Sequence, residues 1–451
     1  MAMEGEVISG HPKAVWRGAV LDSRAITGGE LFFALPGERT DGHQFVDQAL
    51  ERGAAAAVIH QVVAIHQGQT AIRVADTYAA LHRLTESVRQ RVPRRLVAVT
   101  GSVGKTTIKE LLAAMLGRRF KVARNPGNLN NLLGFPIALL GIPEDTEWMV
   151  AEMGMSTAGE LARISRLGRP DAALLANVRP VHLESFGTLR EVAEAKAELL
   201  EGLSPEGLLV ANRDDPEVAR VARRHPGRIV WYGLRKAADY TVSGVEAVAG
   251  GLATRFVLEA PGEACAVDLP LHGLYNVENC LAAASCAHAL GVPLEEIAAA
   301  AAAVEAPAMR GIVYRLPGDR VVIDDSYNSN PAALEAALES ARQLPARRRW
   351  AVLGDMLELG EQAPRFHREA GRAAARLGFS PVVGVGELAR SLVESAEAAG
   401  SEGRWYASAE EAATGLAGGI SAGDLVLVKG SRGMALERVV RVLTTPLGEA
   451  G

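Results

Sequence analysis

Residues 95–107, RLVAVTGSVGKTT, join a buried strand to a phosphate-binding loop. Leu96, Val97, Ala98 and Val99 form an apolar run without polar alternation, as a parallel strand covered on both faces requires. Gly101 and Gly104 allow a tight turn whose backbone N–H groups can face phosphate oxygens. Lys105 supplies a point charge for the terminal phosphates, and the Thr106 hydroxyl is placed to hold Mg²⁺. The following residues place Ile108, Leu111, Leu112, Met115 and Leu116 on one helical face, so a helix N-terminus aims its positive dipole end at the same anion. Gly101 to Thr107, with Ser102 between the glycines, is therefore the candidate ATP site. The loop is shorter than the general P-loop, which would require Gly where Val99 stands.

Working outward, 451 residues suggest about three domains. The boundaries we read are 1–93, 94–310 and 311–451, with Pro93 as punctuation at the first. A 48% hydrophobic share, 22% charged residues and a net charge of −5 describe a globular chain. With no basic tract, neither nucleic acid nor a membrane surface is expected as a partner. Cys265, Cys280 and Cys286 are odd in number and lack metal spacing, which fits a reducing compartment. MAMEGEVISG carries no export signal, and the alanine run 298–303 is too short to span a bilayer. A cytoplasmic monomer is expected. Only seven of the 48 basic residues are lysines (13, 105, 109, 121, 196, 236 and 429). In a chain that writes its charge as Arg, Lys105, Lys196 and Lys429 are candidates for a compact ammonium or a free amine, and the other four read as codon drift.

The first unit reads as small α/β, with strands at 31–35, 55–59 and 72–74, a helix over 45–52, and a second capped by Asp76 or Thr77. Asp22-Ser23-Arg24 and Thr40-Asp41-Gly42-His43 are polar loop clusters flanking strand ends. In the central unit, apolar strands end directly in polar residues: Glu152 after 148–151, Asn177 after 172–176 with His182 five residues on, and Asn212 after 208–211. In open parallel sheets ligands sit beyond the carboxyl ends of the strands, so these residues share a rim with Lys105. Glu152 there is a hard oxygen ligand suited to Mg²⁺. Alternation around 253–271 suggests antiparallel strands, after which Asn276 and Asn279 open an Ala-rich helix. The third unit alternates strands (321–323, 350–353, 382–383, 425–428) with helices, one starting at Pro331. It has no Gly-x-Gly-x-x-Gly fingerprint, so no nicotinamide cofactor is expected.

Together these loops resemble the Mur ligase family over nearly the whole chain. The signatures are Asp22–Arg24, Asp41–His43, Gly101–Thr106, Asn125-x-Gly127-Asn128-x-Asn130-Asn131-x-x-Gly134-x-Pro136, Glu152–Gly154, Asn177–Gly187, Lys196 and Asn276-x-x-Asn279. Leu353–Gly360 and Asp325–Pro331 are similar to the members that add a dipeptide, with Ser329 where Ala is usual. The Asp-Asn-Pro-Arg-type motif of the members adding the third residue is missing. The resemblance implies a small N-terminal α/β domain, a central P-loop NTPase-like domain with a mostly parallel sheet, and a Rossmann-like C-terminal domain. It implies an ATP-dependent ligase joining D-alanyl-D-alanine to UDP-N-acetylmuramoyl-tripeptide in peptidoglycan precursor synthesis.

By the same analogy Ser23, Arg24, Thr40, Asp41, Gly42 and His43 hold the UDP-sugar, and Asn128, Asn130 and Asn131 line its peptide arm. Thr106 and Glu152 hold one Mg²⁺ and His182 a second. Lys196 is carbamylated (N6-carboxylysine) and faces that second ion, whereas spacing alone reads Lys196 as a solvated charge between Glu194 and Glu198. Asn279 contacts adenine, Arg310 the phosphates, and Asp325 with Asn328 or Asn330 the ribose edge, with Lys429 at the C-terminal face of the cleft. Rival readings are the diamino acid-adding ligase, a polyglutamate synthetase, and a kinase or nucleotide switch.

Overall fold

The structure is a computed structural model, and it describes residues 2–11, 15–37, 40–92 and 94–445. Pro93 and Lys13 lie outside the described residues. The strands are β1 Glu6–Ser9, β2 Ala19–Val20, β3 Leu31–Phe33, β4 Ala56–Ile59, β5 Ala71–Arg73, β6 Arg95–Thr100, β7 Val122–Arg124, β8 Trp148–Glu152, β9 Ala172–Leu175 and β10 Leu208–Asn212. They continue with β11 Ile229–Tyr232, β12 Thr241–Val248, β13 Ala253–Ala260, β14 Glu263–Leu269, β15 Ile312–Leu316, β16 Arg320–Asp325, β17 Arg348–Gly354, β18 Val382–Val385, β19 Gly403–Tyr406 and β20 Asp424–Lys429.

The central sheet, in the order β11-β10-β9-β6-β8-β7, is parallel throughout. β6 is interior, which explains its uninterrupted apolar run: alternate side chains enter two separate cores. Val97 and Val99 pack with Ile108, Leu111 and Leu112 of helix Lys105–Leu116 and with Leu281 of helix Leu274–Ala289. Leu96 and Ala98 face the other way, toward Phe135, Leu161, Ile164 and Val192. The antiparallel sheet β12-β13-β14 closes the first core with Phe256, Leu258 and Val267. The sequence reading began these strands at about 253 and missed β12, whose TVSGVEAV is mostly exposed and carries no core-facing alternation.

The first sheet runs β1-β5-β4-β3-β2, antiparallel only at β1. Helix Thr77–Arg91 packs Ala80, Leu81 and Leu84 against its core, and its N-terminus is capped by Asp76, which accepts hydrogen bonds from the Tyr78 and Ala79 amides. The third sheet runs β15-β16-β20-β17-β18-β19 and is parallel except at the β15 edge. Among the described residues no helix is long and apolar enough to cross a membrane.

The second and third sheets meet near their rims. His182, just beyond β9, pairs through Nδ1 with Glu358 of the loop after β17 at 2.5 Å, and the Glu184 amide donates to the Glu358 carbonyl. His182 (φ 52°) and Glu358 (φ 63°) are both left-handed non-glycine residues, a conformation that persists only where the surroundings hold it. Behind them, His272 Nδ1 lies 2.7 Å from Ser340 Oγ, tying the start of helix Leu274–Ala289 to helix Pro331–Arg342.

Candidate active site

The loop after β6 is shaped by what surrounds it. Gly104 has φ +81°, and a Cβ there would stand 2.2 Å from Asn279 Oδ1, so only glycine fits between the turn and helix Leu274–Ala289. Asn177 Oδ1 accepts from the amides of Ser102 (3.0 Å) and Val103 (2.9 Å), while its Nδ2 donates to Val103 O. Asn177, noted in the sequence only as a strand-end and motif residue, thus brackets the turn from β9.

Lys105 bends back over the loop, donating to Gly101 O (2.9 Å) and Ser102 O (3.4 Å). Burial pushes its pKa below the ordinary lysine range; Glu152 counters this shift and Arg310 adds to it. Thr106 Oγ1 donates to Glu152 Oε2 at 2.8 Å and receives Arg310 Nη2 at 3.3 Å. Arg310 also stacks on Tyr327 at 4.1 Å. Asn130 Nδ2 holds the second Glu152 oxygen at 2.8 Å. Glu152, at the end of β8, is therefore fixed on both oxygens beside the loop. Asn131 is used differently, its Oδ1 capping helix Gly134–Leu140 through the Gly134 amide, and Asn128 contributes its carbonyl to the Asn130 amide.

A single cavity gathers Ser102, Gly104, Lys105, Thr106, Thr107, Glu152, Asn279, Arg310, Asp325, Asn328 and Asn330. Thus most of the nucleotide-site residues named from sequence come together between the second and third sheets. The cavity also holds Tyr275, from the motif that opens the Ala-rich helix, and Arg179 and Glu278, which sequence reasoning missed because nothing local marks them. Arg179 is paired with Asp215 at 2.5 Å, and burial raises the Glu278 carboxyl above its usual range. On the third-sheet side, Lys429 Nζ holds Asp325 Oδ2 at 2.6 Å and the Asn328 carbonyl at 2.9 Å, while Asn330 caps helix Pro331–Arg342. A groove of about 830 Å³ shares Thr106 and Arg310 with this cavity.

Lys196 corrects the reading from spacing. It is 2% exposed, not solvated. Its expected neighbours are engaged elsewhere: Glu194 with Arg220 and Arg224, and Glu198 with the Gly159 and Ala162 amides. Burial, reinforced by the Lys105 cation, drives its pKa well below the ordinary range. An uncompensated buried ion costs several kcal/mol, far above the ~0–1 kcal/mol at stake in a surface pair, so the site favours the neutral amine over the ammonium. His182 is not among the residues lining the nucleotide cavity; Glu358 holds it, and that contact keeps the Glu358 carboxyl below its usual range. Among the described residues no cluster of three or more His, Cys, Asp or Glu side chains is arranged to hold a metal.

At the rim of the first sheet each of the two polar loops makes its own hydrogen bonds. Ser23 Oγ donates to Gln48 at 2.6 Å, and Arg24 forks onto Asp22, whose pKa falls to about 2 on that hydrogen bond. Asp41 takes the His43 amide and ring Nδ1 and is likewise lowered to about 2. His43 Nε2 accepts from the His60 amide, so the ring proton sits on Nδ1 toward Asp41. Gly42 and Thr40 belong to the same turn, the Thr40 carbonyl accepting from the Gly37 amide.

Three family descriptions match in succession along the chain: the Mur ligase family catalytic domain over residues 17–98, the Mur ligase middle domain over 99–287, and the Mur ligase glutamate ligase domain over 309–432. The chain is 37% identical over 426 residues to UDP-N-acetylmuramoyl-tripeptide--D-alanyl-D-alanine ligase of Escherichia coli, covering 94% of this chain and 92% of that protein. A crystal structure of MurF from Acinetobacter baumannii superposes with a TM-score of 0.88 at 30% identity, over 98% of this chain and 97% of that one. MurF from Thermotoga maritima, solved in complex with ADP, gives 0.83 at 28% identity over 96% and 98%. With three of its domain descriptions matched in succession over residues 17–432, this chain belongs to the Mur ligase family.

Proposed function

We propose that this chain is the ATP-dependent, ADP-forming ligase that joins D-alanyl-D-alanine to UDP-N-acetylmuramoyl-tripeptide, in cytoplasmic peptidoglycan precursor synthesis. The observation that carries the reading is the convergence of Lys105, Thr106, Glu152 and Arg310 at one end of a cavity closed by the third sheet. Residues 1–93 bind the UDP-sugar through Ser23, Arg24 and Thr40 to His43, residues 94–310 bind ATP, and residues 311–451 bind the dipeptide and close on the nucleotide. Asn128, Asn130 and Asn131 form the wall along the peptide arm. Asn279 faces adenine, and Asp325, Asn328 and Asn330 face the ribose.

A carboxylate does not react with an amine because its leaving group would be oxide. The tripeptide carboxylate oxygen therefore attacks the γ-phosphorus, the bond to the β-phosphate oxygen breaks, and ADP leaves. The dipeptide nitrogen then attacks the acyl carbon, the C–O bond to phosphate breaks, and the amine proton is released. Both steps bring anions together, so placement and charge are what the protein must supply. Lys105, which in this state donates to its own loop carbonyls, turns to the terminal phosphate, and Arg310 offsets the charge on the other side of Thr106. Holding three substrates in line can supply up to about 7–11 kcal/mol of the barrier, and keeping water out protects the acyl phosphate.

Thr106 Oγ1 and Glu152 Oε2 fit a Mg²⁺ ion, being two hard oxygens 2.8 Å apart with room for phosphate and water oxygens to complete the shell. Bound there, the ion would neutralise phosphate charge. The expected second ion would take His182 and a carbamate formed on the neutral Lys196 amine, and it fits only once Glu358 releases His182. The test is a panel assay. ADP release should depend on D-alanyl-D-alanine and not on diaminopimelate, lysine or glutamate, and release without any amine would overturn the reading.

A further inference from the structure

Lys109 stands one helical turn beyond Thr106 and is 1% exposed, although nothing in its local pattern separates it from ordinary surface lysines. Its Nζ donates to the Asn125 carbonyl at 2.8 Å and lies 3.3 Å from Glu110 Oε1. Glu110 is shared, its other oxygen holding Arg124 Nε at 2.5 Å on the strand that leads into Asn125. Asn125 is fully buried and clamps the Glu152 backbone on both sides: Glu152 N donates to Asn125 Oδ1 (2.8 Å), and Asn125 Nδ2 donates to Glu152 O (3.1 Å) and Leu129 O (2.8 Å). The segment from Leu129 carries Asn130 to the Glu152 carboxylate. Hydrogen bonds joined through the covalent frames of Asn125 and Asn130 thus link Lys109 to the group beside Thr106.

We propose that Lys109 is a positioning residue for the reaction: through Asn125 it fixes Glu152 against Thr106 and so sets the affinity of that pair for a divalent ion. The inference rests on reading Thr106 and Glu152 as ion ligands. A single ammonium pointing at one carbonyl is a task for lysine, because five guanidinium donors would leave most unsatisfied in so tight a site. Outer-shell partners that orient a ligand typically change metal affinity by about 10–100-fold when removed.

The test uses the full chain with Lys109→Met, Lys109→Gln, Asn125→Ala and the Lys109→Met/Asn125→Ala double variant, with Glu152→Gln as reference. Mn²⁺ binding in the presence of ADP is read by electron paramagnetic resonance, alongside the Mg²⁺ concentration for half-maximal turnover. Lys109→Met should weaken Mn²⁺ binding and raise the Mg²⁺ requirement about tenfold. KM for the UDP-sugar substrate should be unchanged. Lys109→Gln, which keeps a shorter donor, should recover part of the loss. The double variant should be no worse than the poorer single one, as members of one chain require. The proposal is overturned if Lys109→Met and Lys109→Gln lower only thermal stability and leave ion binding at the wild-type value, or if the losses add in the double variant. Should Lys109→Met not fold, Lys109→Gln decides by the same readout. If Glu152→Gln also leaves ion binding unchanged, it is the ion-site reading that falls.

Discussion

At the rim of the first sheet the charged groups named here are already partnered: Arg24 lies on Asp22, and Asp41 takes the His43 amide and ring N–H. At the rim of the central sheet, Lys196 is buried and Lys105 half-buried, and Lys105 donates to the backbone carbonyls of Gly101 and Ser102. The difference shows what each rim must do. The first can exchange partners with a charged substrate at little cost in either direction. The second sets its two lysines out of water beside the phosphate-binding loop, and burial lowers the proton affinity of both.

The harshest way to break that contrast is Lys105→Ala. It should lower phosphoryl transfer by about 10³-fold or more, measured as single-turnover ADP formation, while KM for the UDP-sugar stays put. Next in size is Lys196→Ala, which should lose about 10²-fold in turnover and recover partly when short carboxylic acids are added. Full activity of that variant in bicarbonate-free buffer would rule out the carbamate. Arg24→Ala should raise KM for the UDP-sugar about tenfold at constant kcat, the pattern of lost uniform binding.

The smallest effect concerns pH. The folded Lys196 binds a proton less readily than the unfolded chain, so ligand-free stability should rise with pH from neutral toward the ordinary lysine value of 10.5. Lys196→Met should flatten that slope in thermal melts. Asp22 and Asp41 have the same sign in a lower range: their stabilising contribution is complete above the ordinary aspartate value of 3.8 and is lost as pH falls through about 2. The first rim should therefore be silent across the range where the second one titrates.

Much of this was legible because it is local. The strand, the glycines, Lys105-Thr106 and the helix face follow one another in the chain, and the polar residues closing β8 and β9 announce a rim. Edge strands were harder to read: β1 and β7 are short and partly exposed, so neither period nor hydrophobic run marks them. Lys196 was misjudged on spacing because i±2 carboxylates on a helix do not face it, and both are drawn off by partners far along the chain. Lys109 was passed over for the same reason: its partner, the Asn125 carbonyl, becomes a neighbour only when β7 packs beside the helix. The His182–Glu358 contact depends on how two domains meet, which no local pattern encodes.

The acyl phosphate is the core of the account, and oxygen labelling tests it most directly. With ¹⁸O in the terminal carboxylate of the UDP-muramoyl tripeptide, turnover with ATP and D-alanyl-D-alanine should place one ¹⁸O atom in each inorganic phosphate released. Unlabelled phosphate, with one ¹⁸O atom kept in the amide and the expelled one found in water, would contradict it.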